Sequence, residues 1–559
     1  MIRHSMLPLL TALVLNACAG GDAPPADAEG PVVDPAASGI QGADIERHLR
    51  TLSDDRFQGR GPGSEGGDAA IQYVAEQFAA AGLEPVDGSW LQAVPMIGNT
   101  PDPRSATLRI AGEGEVFDGV FRDDFVIWAG DPEARSSSAS GELVFVGYGV
   151  SAPENQWDDF GDVDLTGKVL MILVSDPPAP ADEPDLFGGR AMTYYGRWTY
   201  KFEEAARQGA AAAFVVHDTE PAGYGWNVVT GSWTGEQFSL PADPGAPAPV
   251  AVEGWLTLRL AEEILGVTGL EIEELQAQAA RRDFQPVATG IQVSTSLTSA
   301  VRTVDTHNVV GVLRGGERPD EIITLTSHHD HLGVGEPVNG DAIYNGAYDN
   351  ASGTAMLIEL ADAISHLDAR PARSLLFIAT AAEEQGLLGA EWYVQNPLYP
   401  LARTVAEINM DGANLWGETD DVIAMGADRS ELGAVVEPRA AELGMYLAPD
   451  AEPEKGFFFR SDHFPFAKAG VPALYIEHGR VYRNRPEGWG QQVLDDFTAN
   501  RYHGPADEYL EEFVFEGAVQ QAQLILLTTL DLANSDAWPN WNEGSEFRAA
   551  RDAMMMGGG

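Results

Sequence analysis

The sequence predicts an α/β protein: a mixed, mostly parallel sheet covered by helices, with a β-rich domain inserted into it. Two observations carry this. After Asn308 the chain alternates strand-like apolar runs, loops and helix-like segments, the pattern of parallel strands joined by helical crossovers. From about Gly141 the texture is instead one of short β-rich runs. The length of 559 residues exceeds one ordinary domain.

Residues 6–15 form an apolar run behind Arg3, too short to span a bilayer. The run ends in Leu15-Asn16-Ala17-Cys18, and Cys18 is the single cysteine, so no intramolecular disulfide can form. By resemblance to bacterial lipoproteins, residues 1–18 are read as a lipoprotein signal peptide with Cys18 as the lipidated residue. Ala19 after the cysteine favours an outer-membrane anchor, in the cell envelope or periplasm. Residues 19–39, rich in Ala, Pro, Gly and Asp, are read as a flexible tether.

A first part of the main domain is expected over residues 40–135. Ile71, Val74, Ala75 and Phe78 share one face of a helix predicted over 68–81, ending before Gly82. The preceding Gly59-Arg60-Gly61-Pro62-Gly63-Ser64-Glu65-Gly66 contains a GxGxxG match. No strand precedes it, and Pro62 and Glu65 suit a phosphate cradle poorly, so it is read as a turn before a helix. The inserted domain is expected over 136–293. Strands are predicted at 142–148, 168–174 and 211–216, and a helix at 202–208. Tyr194, Tyr195, Trp198 and Trp226 are assigned to its core. Its His, Asp and Glu do not cluster at metal-ligand spacing.

The second part of the main domain is expected over 294–540, with a tail at 541–559. Strands are predicted at 321–326, 374–380, 404–409 and 473–476, and helices at 352–364 and 518–532. In such sheets ligands gather at the carboxyl ends of the strands. Polar clusters stand there: Ser327-His328-His329-Asp330-His331, Tyr348-Asp349-Asn350, Ala381-Ala382-Glu383-Glu384 and Asn409-Met410-Asp411, with Tyr502-His503-Gly504-Pro505 further on. Zinc takes imidazole nitrogen and carboxylate oxygen. A pair of zincs about 3.5–4 Å apart needs a bridging carboxylate, with a His and a carboxylate for each ion. A further unligated carboxylate can move the proton of the attacking water. The clusters supply such a set. No HExxH sequence occurs, so a single zinc held on one helix is not expected. The formal net charge of −51 opposes binding to nucleic acid and to anionic lipid surfaces.

These segments resemble the di-zinc aminopeptidase family of metallopeptidase clan MH. That family includes bacterial aminopeptidases, glutamate carboxypeptidase-like enzymes, the transferrin receptor ectodomain and glutaminyl cyclases. The resemblance runs from Thr306-His307-Asn308-Val309-Val310-Gly311 through Asn409-Met410-Asp411-Gly412. It resumes at Ser461-Asp462-His463-Phe464-Pro465 and at Tyr502-His503-Gly504-Pro505-Ala506-Asp507-Glu508. Gly147-Tyr148-Gly149 and Asp164-Leu165-Thr166-Gly167-Lys168-Val169 resemble the protease-associated domain that many members insert.

The resemblance implies a zinc-exopeptidase (phosphorylase/hydrolase-like) fold, two Zn2+ per chain, peptide substrates and aminopeptidase activity. It implies His328 and Asp411 as ligands of one metal, Glu384 and His503 of the other, and Asp349 as the bridge. Glu383 matches the general base, Asp330 the residue that orients His328, and Tyr502 a hydroxyl that helps hold the oxyanion. His329 stands where the family more often has an aromatic residue, and Tyr348 where it commonly has Asp or Asn. Asp462 and His463 are assigned to structure or pocket wall, His307 to a strand edge, and the Phe457-Phe458-Phe459-Arg460 run to the substrate pocket. A carboxypeptidase, a glutaminyl-cyclase-like enzyme and a non-catalytic receptor-like homologue are the alternatives. The sequence does not indicate an oligomeric state.

Overall fold

A computed structural model describes residues 39–557 apart from 181, 223, 243, 244 and 246. Cys18, the signal peptide and the tether up to residue 38 lie outside the described residues.

Helix α1 (Gly42–Leu52) buries Ile45, Leu49 and Leu52 at helical spacing. Helix α2 (Glu65–Ala80) begins earlier than the apolar periodicity predicts. The reason is a cap: the Ser64 hydroxyl accepts the Gly67 N–H at 3.1 Å. The glycine-rich segment before it is a turn. A Cβ on Gly66 would lie 1.9 Å from the Phe57 carbonyl oxygen, so the backbones meet there only because no side chain intervenes.

Strand β1 (Leu91–Pro101) precedes five strands of the β-rich part: β2 (Phe125–Ala129), β3 (Ser136–Phe145), β4 (Val169–Leu173), β5 (Ala212–His217) and β6 (Val252–Thr257). Strands β3 to β6 run parallel side by side, and β2 closes antiparallel on β6. Strands β4 and β5 are buried along their whole length, as strands covered on both faces must be. Phe145, Phe214 and Ile264 pack on one face, and Phe202, Val215 and Trp255 on the other.

Strand β7 (Val287–Leu313) is 27 residues long. It is followed by β8 (Arg318–His328), β9 (Arg373–Thr380), β10 (Thr404–Asn409), β11 (Asp421–Met425), β12 (Tyr446–Ala448) and β13 (Ala473–His478). The order across this part is β12-β11-β13-β10-β8-β9-β7. The four central strands β13, β10, β8 and β9 are parallel, and β11 and β7 flank them antiparallel. Strand β7 pairs in turn with β3, β1 and β9. It thereby joins both parts into one 16-stranded sheet among the described residues. The fold class is the predicted mixed α/β one.

Helices α3 (Gly353–Ser365) and α6 (Glu516–Asn534) cover one face of the central strands, and α4 (Leu388–Gln395) packs on the other. Helix α5 (Trp489–Asn500) lies just before the Tyr502-His503 turn. No helix among the described residues is long and apolar enough to cross a membrane.

Two aromatic assignments are corrected by the packing. Trp198 and Trp226 pack on the core of the β-rich part, as expected. Tyr194 and Tyr195 instead join a cluster with Phe458, Phe459 and Phe464, and Tyr194 lies 5.1 Å from Phe464 by ring centroids. These tyrosines stitch the β-rich part to the central sheet. Phe458 and Phe459 are themselves buried in that cluster, so only Phe457 and Arg460 of the expected pocket run reach the surface. The segment read as a tail packs on the fold. The Trp541 Nε1–H donates to the Gly470 carbonyl at 3.0 Å, and the Arg551 guanidinium to the Thr404 carbonyl at 3.1 Å.

Burial raises the carboxyl of Glu253 on β6 from 4.5 to about 7, although the Trp128 indole N–H donates to it at 2.9 Å and works the other way. The folded state therefore holds a proton that the unfolded chain releases. The stability this contributes is fully present below pH 4.5 and is lost as pH rises through 7. Glu253→Gln is expected to melt close to the parent at pH 4.5 and above it at pH 8. Thermal melts at the two pH values check this, and an equal offset at both contradicts it.

Candidate metal centre

The predicted polar clusters meet at one end of the central sheet. His328 closes β8, Glu383 and Glu384 follow β9, and Asp411 follows β10. Asp349 lies in a helical turn, Ala347–Ser352, that leads into α3. His503 arrives from the turn after α5. Ala382 and His503 both hold left-handed backbone conformations, with φ of 55° and 54°. Non-glycine residues adopt these at a cost that surrounding structure must offset, and such positions concentrate at functional sites.

The side-chain distances follow a pattern. His328 Nε2 lies 3.2 Å from Asp411 Oδ1 and 3.4 Å from Asp349 Oδ1. His503 Nε2 lies 3.2 Å from Asp349 Oδ2 and 3.1 Å from Glu384 Oε2. The carboxylate of Asp349 thus turns one oxygen to each imidazole. Ligand atoms held tetrahedrally about 2.0–2.1 Å from one zinc are separated by about 3.3 Å. All four separations are of that size, so both donor groups fit divalent cations. His329 is not among them: its Nε2 meets the His307 carbonyl oxygen at 3.0 Å and it points out of the site. His328 is thus the histidine of this loop that faces Asp349 and Asp411.

Glu383 is the carboxylate left over. Its Oε2 is 3.9 Å from His328 Nε2. Burial raises its pKa well above the usual range, and Asp411, Glu384 and Asp462 add to this against the pull of His328. Burial acts against charge on Asp349 too, but hydrogen bonds from His328 and His503 hold it well below its ordinary value. Glu384, opposed by burial and by Asp349, is held at about 2 by His503 and His331. His328 and His503 are raised despite burial, because carboxylates surround them. So many carboxylates in one pocket repel each other until cations enter.

Asp330 touches both His328 and the Glu383 backbone. The Glu383 N–H donates to its Oδ1 at 3.1 Å. His328 Nδ1 is nearer to the Asp330 carbonyl oxygen, at 3.3 Å, than to its carboxylate, at 3.7 Å. The residue therefore braces both the histidine and the Glu383 backbone. Tyr502 stacks on the His503 ring at 3.8 Å between centroids. Asp462 is buried and accepts from the Thr380 hydroxyl, a structural role. His463 is also buried, packed between Phe458 and Tyr475.

Sequence reasoning missed the braces. Asp507 accepts the backbone N–H of Tyr348 at 3.0 Å and of Asp349 at 3.1 Å. Ser461 donates to Asp411 Oδ2 at 2.6 Å, and Tyr475 to the Asp411 carbonyl at 2.6 Å. The buried guanidinium of Arg60 donates to the carbonyls of His329, Leu52, Asn345 and Gly346. It ties the His328 loop to the Asp349 loop. Arg60 stands inside the glycine run, and an arginine between glycines ahead of a helix was its only signal.

The fold and this donor set define an α/β protein with an imidazole–carboxylate metal centre at its strand ends. Residues 308–528 match the model of peptidase family M28. The chain is 26% identical over 505 residues to the Glutamate carboxypeptidase 2 homolog of Caenorhabditis elegans, covering 79% of this chain and 60% of that protein. It is 28% identical over 205 residues to Leupeptin-inactivating enzyme 1 of Streptomyces exfoliatus, covering 36% of this chain and 43% of that one. The chain thus spans less than two thirds of these curated relatives. In fold it is similar to the aminopeptidase from Aneurinibacillus sp. strain AM-1, with a TM-score of 0.50 and 20% identity over 90% of this chain and 96% of that one.

Removing divalent metal with a chelator is expected to lower the melting temperature, because the pocket carboxylates lose their counter-charge. Restoring zinc is expected to reverse the drop in a concentration-dependent way. Calorimetry with and without chelator checks this, and superimposable melts contradict it.

Proposed function

We propose that the protein is a zinc-dependent aminopeptidase that hydrolyses amino-terminal residues from peptides, using two zinc ions. The observation that supports this best is the division of the Asp349 carboxylate between His328 and His503, with Glu383 unshared beside them. In this reading His328 and Asp411 hold one ion, Glu384 and His503 the other, and Asp349 both. Zinc bound there supplies Lewis acidity and a water whose pKa falls toward about 7.

Glu383 then acts as the proton carrier. Its raised proton affinity suits a group that accepts a proton from the attacking water and returns it to the leaving amine. Tyr502 is half exposed as a residue, but desolvation at its hydroxyl and the site carboxylates oppose ionisation, so the hydroxyl keeps its proton. It is thus available to donate to a developing oxyanion. Aminopeptidase rather than carboxypeptidase action is what the resemblance in sequence implies.

One observation favours the second reading, a carboxypeptidase. Burial and the neighbouring Arg460 lower the Arg197 pKa to about 10, and no acidic side chain pairs with Arg197 among the described residues. Arg460 in turn lies in the field of Tyr502. Two guanidiniums of this kind suit a substrate carboxylate. The wider proposal includes a lipid anchor at Cys18 in the outer membrane or periplasm, and a protease-associated role for the β-rich part. A glutaminyl-cyclase-like site needs a single zinc, and a receptor-like homologue is marked by lost ligands, whereas here every position of the donor set is filled.

A panel of amino-acyl fluorogenic substrates and amino-blocked peptides, with and without chelator, separates these readings. Cleavage of free-amine substrates alone, abolished by chelator, is expected. Cleavage of blocked peptides from the carboxyl end overturns the aminopeptidase reading. Glu383→Gln is expected to keep its zinc and lose activity by about 10²–10⁴-fold. Full turnover in that variant refutes the role of Glu383.

A further inference from the structure

His331 takes no part in the mechanism above, yet it is among the most constrained side chains of the protein. It is fully buried, and its Nδ1 lies 2.6 Å from Glu384 Oε1. Its ring is lodged under Gly346, where a Cβ would stand 2.5 Å from the imidazole Cγ. Gly346 also has a φ of 55°, so both its conformation and the ring beneath it require glycine there. The Arg60 guanidinium clamps the carbonyl of that glycine, and the His331 N–H meets the Arg60 carbonyl at 3.5 Å. The other ring nitrogen, Nε2, is buried with no hydrogen-bond partner.

We infer that His331 is a positioning residue: its Nδ1–H holds one oxygen of Glu384 so that the other faces the cation position shared with His503 and Asp349. The argument is geometric. An ionised carboxylate only accepts hydrogen bonds, so the imidazole is the donor. The two oxygens of Glu384 are divided, with Oε1 on His331 and Oε2 at 3.1 Å from His503 Nε2. His331, Asp349 and Glu384 also have donor atoms close enough to enclose an ion among themselves. The distances separate that arrangement from a hydrogen bond. Atoms sharing one zinc stand about 3.3 Å apart, and the His503–Glu384 pair matches this. The His331–Glu384 pair, at 2.6 Å, is a charge-assisted hydrogen bond with no room for an ion between. Hydrogen bonds of this kind to metal ligands typically govern affinity by about 10–100-fold.

The inference rests on the proposed zinc site, and the test separates the two. Zinc per chain is measured by elemental analysis across a chelator titration, with cobalt absorption spectra as a second readout. The proteins are the full chain and its His331→Asn, His331→Gln and His331→Leu variants. Asparagine places an amide donor where Nδ1 stands, glutamine places it at the far edge, and leucine removes it. His331→Leu and His331→Gln are expected to release one of two zincs at about 10–100-fold lower chelator than the parent. His331→Asn is expected to stay near the parent. If His331→Leu does not fold, the asparagine and glutamine variants decide the matter. Parental zinc retention in all variants overturns the inference, as does equal loss in His331→Asn and His331→Gln. A parent chain that binds no zinc refutes the site reading itself, together with the inference.

Discussion

The organisation around the site turns on one carboxylate shared between two imidazoles. Asp349 lies between His328 and His503, and the two histidines reach it from elements far apart in the chain. His328, which is fully buried, could not stay among so many acids without a specific partner, and the acids could not stay together without counter-charge. The pocket is thus a compromise that cations complete. The same crowding explains why acids just outside it, such as Asp330 and Asp462, have pKa values raised to about 6 and 7 by burial.

Such a pocket needs rigid walls, because like charges push the loops apart. The parallel strands β9, β8 and β10 set the spacing of the loops that carry His328, Glu383 and Asp411. Arg60 then ties the His328 loop to the Asp349 loop through main-chain carbonyls, so its guanidinium is spent on backbone and not on the site carboxylates. Asp507 fixes the Asp349 backbone from the other side. Buried polar groups satisfied in this way hold the constellation still.

Much of this was legible in the chain. Strands 374–380 and 404–409 were predicted within a residue of β9 and β10, since each reads as a short β-prone run, and every residue of both is buried. The long strand β7 was not read, although buried and exposed residues alternate over its first half, because many of them are Ser or Thr and the apolar signal is weak. Its strand character depends on pairing with β3 and β1, which lie far away in sequence. Strand β1 was missed for the same reason. Tyr194 and Tyr195 carried a correct signal of burial but no indication of which core would take them, since periodicity reports that a face is covered and not by what.

The sequence by itself determined the chemistry: which residues can bind a metal, that they stand at strand ends, and that one glutamate is in excess. Those facts are local, set by residue type and by the period of the surrounding pattern. Tertiary structure alone decided that His329 turns to the His307 carbonyl, away from the site. It also decided that Asp349 divides its oxygens and that Arg60 and His331 brace a pocket they do not line by sequence position. Each of those outcomes depends on distances between loops brought together by the packing of different strands, and distance across a fold is not written in the order of residues along one segment.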